Sequence, residues 1–225
     1  ECQVFVACLP YSDYSFCMAV RSQCIDDFIH ALATCLKRLG GAPKILVPDN
    51  LKSATIKASK YEPTVNQVLD DFANHYNMAV VPARVRKPRD KALVENQVKL
   101  IYNRVYARIR NRQFFSLAGL NKAIEEHTSY HNQTRMQNRD YCREEHFLSD
   151  EKHTLQPLPV EPFEIRYYKE YKLAQNNHIY LGEDKHYYSA PYQYIGKKLK
   201  VIYTRTMVRI FYNYNLIAVH QRNVV

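Results

Sequence analysis

Two acidic residues, Asp49 and Glu95, are candidate metal ligands. Asp49 lies at the end of the buried-type strand 44–47, and the carboxyl ends of strands in α/β sheets are where binding sites form. Glu95 lies in the first turns of a long predicted helix, with Lys99 and Tyr102 on the same helical face. Two carboxylates beside a phosphodiester suit hard divalent cations such as Mg²⁺ or Mn²⁺, which can activate the attacking oxygen and stabilise the leaving one.

Both acidic residues also have ordinary structural explanations. Asp-Asn after a strand is common turn chemistry, and Glu95 and Lys99 have the i,i+4 spacing of a helix-stabilising ion pair. Similarly, His127 and His131 lie one helical turn apart, but no Glu follows the first of them and no third ligand is evident. We therefore expect both histidines to face solvent. For Asp49 and Glu95, spacing alone leaves the catalytic and the structural interpretations open.

The positive charge of the chain is concentrated in two stretches. The 225 residues include 32 Lys or Arg and 22 Asp or Glu, a formal net charge of +10. Residues 84–112 contain ten basic and two acidic residues, and residues 163–225 contain ten and four. Two separate basic stretches favour binding to a phosphate backbone over a merely solvated surface. The predicted DNA-contacting residues are Arg84, Arg86, Lys87, Arg89, Lys91, Lys99, Arg104, Arg108, Lys197 and Lys198.

The composition excludes several classes of protein. With 46% hydrophobic residues, 24% charged residues and 5 Gly, the chain is neither disordered nor collagen-like. No apolar run approaches the about 18 residues of a membrane span, and no signal-peptide pattern opens the sequence. The 6 cysteines form no C-x-x-C pair, which indicates a reducing, cytoplasmic location without disulfides or structural zinc. No glycine-rich phosphate loop is present, which disfavours an ATPase.

The elements that must position these groups follow from hydrophobic periodicity. Apolar runs at 2–9 and 14–20 around a turn predict a β-hairpin. Ser22 is expected to cap a helix that Gly40 ends, and further helices are predicted from Pro63, from Asp90 and over 117–132. The apolar stripe of the long helix is Val94, Val98, Ile101, Val105 and Ile109. Short strands at 44–47 and 78–81 complete a mixed α/β layer.

The remainder of the chain has a different character. Residues 133–162 are polar and irregular and end in three prolines within six residues, which predicts a linker. From 163 to 225, tyrosine-rich segments alternate with turns. That spacing predicts five or six short strands, hence a small β-barrel, and its lysines suggest DNA binding.

Four groups of residues carry a family resemblance. In chain order they are Val47-Pro48-Asp49-Asn50; Lys87-Pro88-Arg89-Asp90-Lys91-Ala92-Leu93-Val94-Glu95-Asn96; Tyr130-His131-Asn132 with Phe147 and Leu155-Gln156-Pro157-Leu158-Pro159; and His186-Tyr187-Tyr188-Ser189-Ala190-Pro191-Tyr192 leading into Gly196-Lys197-Lys198. Together they resemble the ribonuclease-H-like core of DDE transposases and retroviral-type integrases. More narrowly, they resemble the IstA-type transposases of insertion sequences, over essentially the whole chain.

The resemblance implies a fold and a reaction. It implies a ribonuclease-H-like mixed sheet with flanking helices over 1–132, followed by the linker 133–162 and the β-barrel 163–225. Asp49 would be the second catalytic carboxylate and Glu95 the third, both ligands of two Mg²⁺ or Mn²⁺ ions in the complete enzyme. The implied reaction is phosphodiester hydrolysis at the ends of a mobile element, followed by strand transfer. The implied partners are double-stranded DNA at element ends and target, further copies of the chain on that DNA, and an ATPase helper protein; the implied location is the bacterial cytoplasm.

The sequence departs from the family pattern at two points. Ala92 stands where a glycine is common before the glutamate. The first catalytic aspartate of the family lies on a strand before the opening hairpin, whereas this sequence opens at Glu1, and Asp13 falls in the hairpin turn. We therefore expect the chain as it stands to lack a full metal pair and to be inactive. The alternative function is that of a non-catalytic DNA-binding module of a mobile-element protein.

Overall fold

The chain folds as two units, each with its own core. The computed structural model describes residues 2–48, 55–58, 63–65, 67–81 and 88–223. The first unit is Glu1–Phe163 and the second is Glu164–Val225. Asp49, Arg84, Arg86 and Lys87 lie outside the described residues, as do the side chains of Arg89 and Lys91.

The predicted hairpin opens the first unit. Strand β1 (Gln3–Cys8) pairs antiparallel with β2 (Ser15–Val20), as the two apolar runs indicate. Helix α1 (Ile25–Leu39) follows and ends at Gly40, whose φ of 74° suits a residue without a Cβ. Cys24, rather than the predicted Ser22, holds the N-cap position, because the Ser22 hydroxyl instead donates to the Asp27 carboxylate at 2.7 Å.

Two short strand pairs follow α1. Strands β3 (Ile45–Leu46) and β6 (Ala79–Val80) pair in parallel, and helix α2 (Gln67–His75) lies between them in sequence. Strands β4 (Thr55–Ala58) and β5 (Pro63–Val65) form an antiparallel pair. The helix expected to begin at Pro63 therefore begins at Gln67. The periodicity of α2 did not reveal that the residues before it hydrogen-bond to another segment.

The long helical region buries a different set of side chains from the predicted set. It consists of α3 (Pro88–Ile101), a π-helical turn (Tyr102–Tyr106) and α4 (Ala107–Ile109). Ile101, Val105 and Ile109 are buried as predicted, but Val98 is 45% exposed. The i,i+4 row through the three buried residues continues backwards to Gln97, which is buried. The hydrophobic pattern missed this polar member of the stripe.

Helix α5 (Leu117–Gln133) closes one edge of the hairpin. The Asn132 side chain accepts the Ser15 N–H at 3.1 Å and donates to the Ser15 carbonyl at 2.8 Å. Asn121 of α5 makes the same pair of bonds, at 2.7 and 3.0 Å, with Ala19, which lies four residues after Ser15 on β2. The two amides thus satisfy backbone groups that an edge strand would otherwise leave unpaired.

Replacing Asn132 by Ala should lower the free energy of unfolding by about 2 kcal/mol, because the Ser15 N–H and carbonyl stay buried without partners. Urea denaturation followed by circular dichroism measures the change. Gln133→Ala, at the exposed neighbouring position of α5, serves as the control. Equal unfolding midpoints for the two variants would contradict the edge-closing role of Asn132.

Residues 133–162, which the composition predicts to be a linker, are folded as part of the first unit. They include α6 (Arg143–His146), a π-helical turn (Phe147–Glu151) and a 3-10 turn (Lys152–Thr154). The buried Phe147 ring stacks on Tyr14 with 4.5 Å between centroids. The Glu151 carboxylate accepts the backbone N–H groups of Tyr11 and Ser12 at the hairpin turn. A few specific contacts with the hairpin therefore fix a segment whose overall composition is polar.

The second unit has six strands among its described residues, within the predicted number. They are β7 (Tyr167–Lys172), β8 (His178–Leu181), β9 (His186–Ser189), β10 (Lys198–Tyr203), β11 (Met207–Tyr212) and β12 (Asn215–Gln221). Four form an antiparallel sheet in the order β12-β11-β10-β7, and β8 and β9 form a separate hairpin. No strand pairing closes a barrel over residues 164–223, so the predicted barrel is instead an open sheet with a hairpin that shares its core.

A buried ion pair ties this hairpin to the end of the sheet. Asp184, between β8 and β9, is buried and accepts the Arg222 Nη2 at 2.7 Å and its Nε at 2.8 Å. The Tyr188 hydroxyl also donates to Asp184, at 2.7 Å. Arg222 Nη1 donates to the carbonyl of Thr204 at 2.9 Å. The carboxylate and the guanidinium together therefore connect the β8–β9 hairpin, the residue after β12 and the loop after β10.

Candidate active site and nucleic-acid interface

The Glu95 carboxylate is exposed on helix α3. Within the described part of the chain it makes no ion pair, and Lys99, four residues on, makes none with it. The structural interpretation of Glu95 as half of a helix-stabilising pair is therefore not realised. Its exposed carboxylate is accessible to a ligand outside the helix.

Helix α3 is anchored two residues beyond Glu95. The buried Gln97 accepts the Ser15 hydroxyl at 3.2 Å through Oε1, and Ser15 is the residue whose backbone Asn132 binds. This chain of hydrogen bonds links α3, the hairpin and α5. Because Gln97 faces the interior, Glu95 is held on another side of the helix, at a fixed height along it.

The other predicted metal ligand, Asp49, lies outside the described residues, so its convergence with Glu95 stays a prediction. The described side chains contain no group of three His, Cys, Asp or Glu arranged to hold a metal ion. Glu95 by itself has the chemistry that a Mg²⁺ or Mn²⁺ site needs, an exposed carboxylate that no described side chain pairs with.

Three predicted DNA-contacting residues follow Glu95 along the helical region, and they differ in environment. Lys99 and Arg108 are exposed, and the Arg108 guanidinium lies 4.8 Å from the centroid of the Tyr130 ring. Arg104 is half-buried, and its positive charge lies close enough to His131 and Arg143 to lower the pKa of both. Lys99 and Arg108 are therefore both accessible to a phosphate backbone, while Arg104 is partly buried.

An interior cluster of basic side chains was not found from the sequence. His131, expected to face solvent, is buried, and so is Arg143 of α6. Neither His131 ring nitrogen has a hydrogen-bond partner among the described residues, nor do Nε and Nη1 of Arg143. Burial first, and then the charges of Arg143 and Arg104, lower the pKa of His131 to about 3. Neutral His131 avoids a third positive charge beside two arginines; helical spacing alone gave no sign of this.

Because of His131, the free energy of unfolding should decrease as the pH is lowered below 6.5. The unfolded chain takes up a proton on this imidazole near pH 6.5, whereas the folded chain does so only near pH 3. Stability is thus complete above pH 6.5 and decreases as pH falls toward 3, by up to about 1.4 kcal/mol per pH unit. Urea denaturation at pH 7 and pH 5 should show a smaller loss for His131→Gln than for the native chain. Equal losses would contradict the assignment.

Predicted contacts of the second unit lie on and beside β10. Lys197 and Lys198 are exposed, and the Lys198 ammonium forms an ion pair with Glu170 of β7. The next lysine on the strand, Lys200, lies 5.2 Å from the centroid of the Tyr168 ring. The predicted lysines are therefore accessible, although Lys198 is already neutralised by an acidic neighbour.

No helix in the described ranges combines the length and the apolarity needed to cross a bilayer.

Comparison with proteins of known sequence gives matches over nearly the whole chain. The family model described as Mu transposase, C-terminal domain, matches residues 158–224. A putative transposase for insertion sequence IS408 from Burkholderia multivorans is 38% identical over 99% of this chain and 43% of its own length. Putative transposase y4uI from Sinorhizobium fredii is 40% identical over the same shares. The chain thus spans about two fifths of the length of these curated relatives.

Comparison with solved structures identifies the fold. The catalytic core domain of BIV integrase matches with a TM-score of 0.53 at 12% identity, covering 68% of this chain and 90% of that one. A chain of the simian T-cell lymphotropic virus intasome, in complex with a PP2A regulatory subunit, matches with a TM-score of 0.52 at 10% identity, covering 99% and 71%. These likenesses confirm the predicted mixed α/β, ribonuclease-H-like fold. The sequence matches by themselves show that the chain is similar to insertion-sequence transposases, as its motifs indicated.

Proposed function

We propose that the chain is part of a DNA transposase and that its first unit contributes to the active site. In this proposal Glu95 and Asp49 are metal ligands in a reaction that hydrolyses a phosphodiester at an element end and transfers the freed strand to target DNA. The exposed Glu95 carboxylate on the anchored helix α3, which forms no ion pair with a described residue, carries the proposal. The homology to insertion-sequence transposases supports it.

The residues around Glu95 have separate tasks in this proposal. Mg²⁺ or Mn²⁺, when bound, supplies Lewis-acid activation of the attacking oxygen and stabilisation of the leaving one. Glu95 presents a hard oxygen ligand, and Gln97 fixes the height of α3 against the hairpin. Lys99 and Arg108 lie along the same helical region and would bind the phosphates that flank the reacting group. In this proposal the chain itself therefore orients the DNA through its basic side chains and supplies a carboxylate ligand for the metal ion.

The partners and location belong to the proposal as well. Double-stranded DNA at the element ends and target is the substrate, and several copies of the chain act on it together. The ATPase helper protein and the cytoplasmic location stay predictions from the resemblance and the cysteine pattern.

The proposal is tested by a strand-transfer assay. Because the chain spans about two fifths of its curated relatives, the assay uses a protein of their full length, with labelled element-end DNA, a supercoiled target and Mg²⁺ or Mn²⁺. Joined products that require the divalent cation are expected. Duplex binding without any product under either cation would contradict a catalytic role.

The second candidate is a DNA-binding module without chemistry of its own. The exposed lysines on and beside β10 favour it, since they need no carboxylate or metal to bind phosphates. Binding that survives removal of the divalent cation fits both candidates. Only the formation of joined products separates them.

A further inference from the structure

The four-stranded sheet of the second unit has one face in the core and one face open. Side chains alternate between the two faces along each strand, so that Leu199, Val201 and Tyr203 of β10 are buried while Lys198 and Lys200 are exposed. Residues on the opposite side from the core define the open sheet face. Its outline follows from the strand register, which pairs Lys200 with both Glu170 of β7 and Phe211 of β11.

The charges of the open sheet face favour an anionic partner. Its basic side chains are Lys172, Lys198, Lys200 and Arg209, against the single acid Glu170. Glu170 pairs with Lys198, which leaves Lys172, Lys200 and Arg209 in excess. A surface with this excess of cations complements a phosphate backbone.

The same face carries apolar groups that phosphates do not explain. Tyr168 is 57% exposed, Leu216 is 51% and Val219 is 46%, and the Phe211 ring between them is half-buried. A duplex presents its charged backbone to a flat surface, so these groups would be covered by phosphates without any gain in apolar burial. Unpaired bases instead offer π-faces that stack on aromatic rings, and the phosphates between them bind the cations.

Tyr168 is placed where an unpaired base could stack on its ring. It stands opposite Ile202 on β10, with the Lys200 ammonium 5.2 Å from its ring centroid. Phe211 lies two strands away, at a separation of about 12 Å from the spacing of strands and residues in a sheet. Two aromatic rings with a lysine between them form a short platform for an extended strand.

We infer that the open sheet face binds single-stranded DNA, with unpaired bases stacked on Tyr168 and Phe211 and phosphates held by Lys172, Lys200 and Arg209. The inference deepens the DNA-binding part of the proposed function and rests on it. In this inference the second unit binds unpaired nucleotides at DNA ends or at a junction, and not the duplex alone.

The test measures the affinity of the full chain for a fluorescein-labelled 15-mer of dT and for a 15-base-pair duplex by fluorescence anisotropy. Tyr168→Ala should weaken binding of the dT strand about tenfold or more, the loss expected for one stacked base, and change duplex binding less than about twofold. Tyr168→Phe keeps the ring and should bind as the native chain does. Tyr192→Ala removes a tyrosine that is still more exposed, at 77%, but lies off the sheet, and should also leave both affinities unchanged.

A second variant keeps the inference falsifiable if Tyr168→Ala unfolds. Tyr168→Leu retains apolar bulk on β7 but removes the π-face, so it too should lose dT binding. Native affinity of Tyr168→Leu for dT, or equal losses for dT and duplex, would overturn the inference. The outcome is independent of the strand-transfer assay: failure there would remove the proposed chemistry but leave a tyrosine-dependent preference for single strands intact.

Discussion

Replacement of Arg222 by Met is expected to lower the stability of the second unit by about 3 to 5 kcal/mol. The substitution leaves the Asp184 carboxylate buried with a hydroxyl as its remaining partner, after losing three bonds from the guanidinium at 2.7 to 3.0 Å. It also leaves the Thr204 carbonyl without the Arg222 donor. A buried charge without its counterion costs far more than the pair contributes, which is why removing one partner is worse than removing both.

Hydrogen exchange measured by mass spectrometry reports this loss for each unit separately. Amide protection should fall across β10 and β11 in Arg222→Met and stay unchanged in β2 and α5 of the first unit. Glu170→Gln, which breaks the exposed pair with Lys198, is the control and should leave protection unaltered. The double variant Asp184→Leu with Arg222→Met should recover part of the loss, because both charges are gone. A double variant as unstable as the single one would contradict the explanation by an unpaired charge.

The parts of the fold that the sequence predicted are those that depend on local periodicity. The hairpin, α1 and the six strands of the second unit each have an alternating or helical pattern with turn residues at both ends. The same reasoning failed where a distant contact decides the structure. Gln97 occupies the buried stripe because Ser15 is there to bond with it, and a polar residue gives no hydrophobic signal.

Two further errors have the same origin. Residues 133–162 are polar overall, yet Phe147 and Glu151 attach them to the hairpin through one ring and one carboxylate. His131 is buried, and Arg143 of α6 lies close enough to lower its pKa, a relation that helical spacing in α5 does not contain. For the candidate site, residue type and order pointed to Glu95. Its exposure, and its lack of an ion pair with Lys99, could be seen only in the structure.

In a protein of the relatives' full length, replacement of Glu95 by Gln is expected to reduce strand transfer about a thousandfold and to leave DNA affinity within about twofold. The amide has nearly the same size and remains on the exposed side of α3, so folding and the contacts of Lys99 and Arg108 are unaffected. What changes is the ligand, because a neutral amide oxygen binds a hard divalent cation more weakly than a carboxylate does. Loss of several kcal/mol of transition-state stabilisation corresponds to this factor, at about 1.4 kcal/mol per tenfold.

Two controls separate a metal ligand from a merely acidic surface residue. Glu126→Gln removes an exposed carboxylate on α5 and should leave strand transfer unchanged. Glu95→Asp keeps the charge but withdraws it by one methylene, and should be more active with Mn²⁺ than with Mg²⁺, because Mg²⁺ demands near-ideal octahedral geometry. A structural or DNA-contacting glutamate would show no such dependence on the cation. Equal activity of Glu95→Gln and the native protein would instead assign the chemistry to residues other than Glu95 and leave the chain the role of binding DNA.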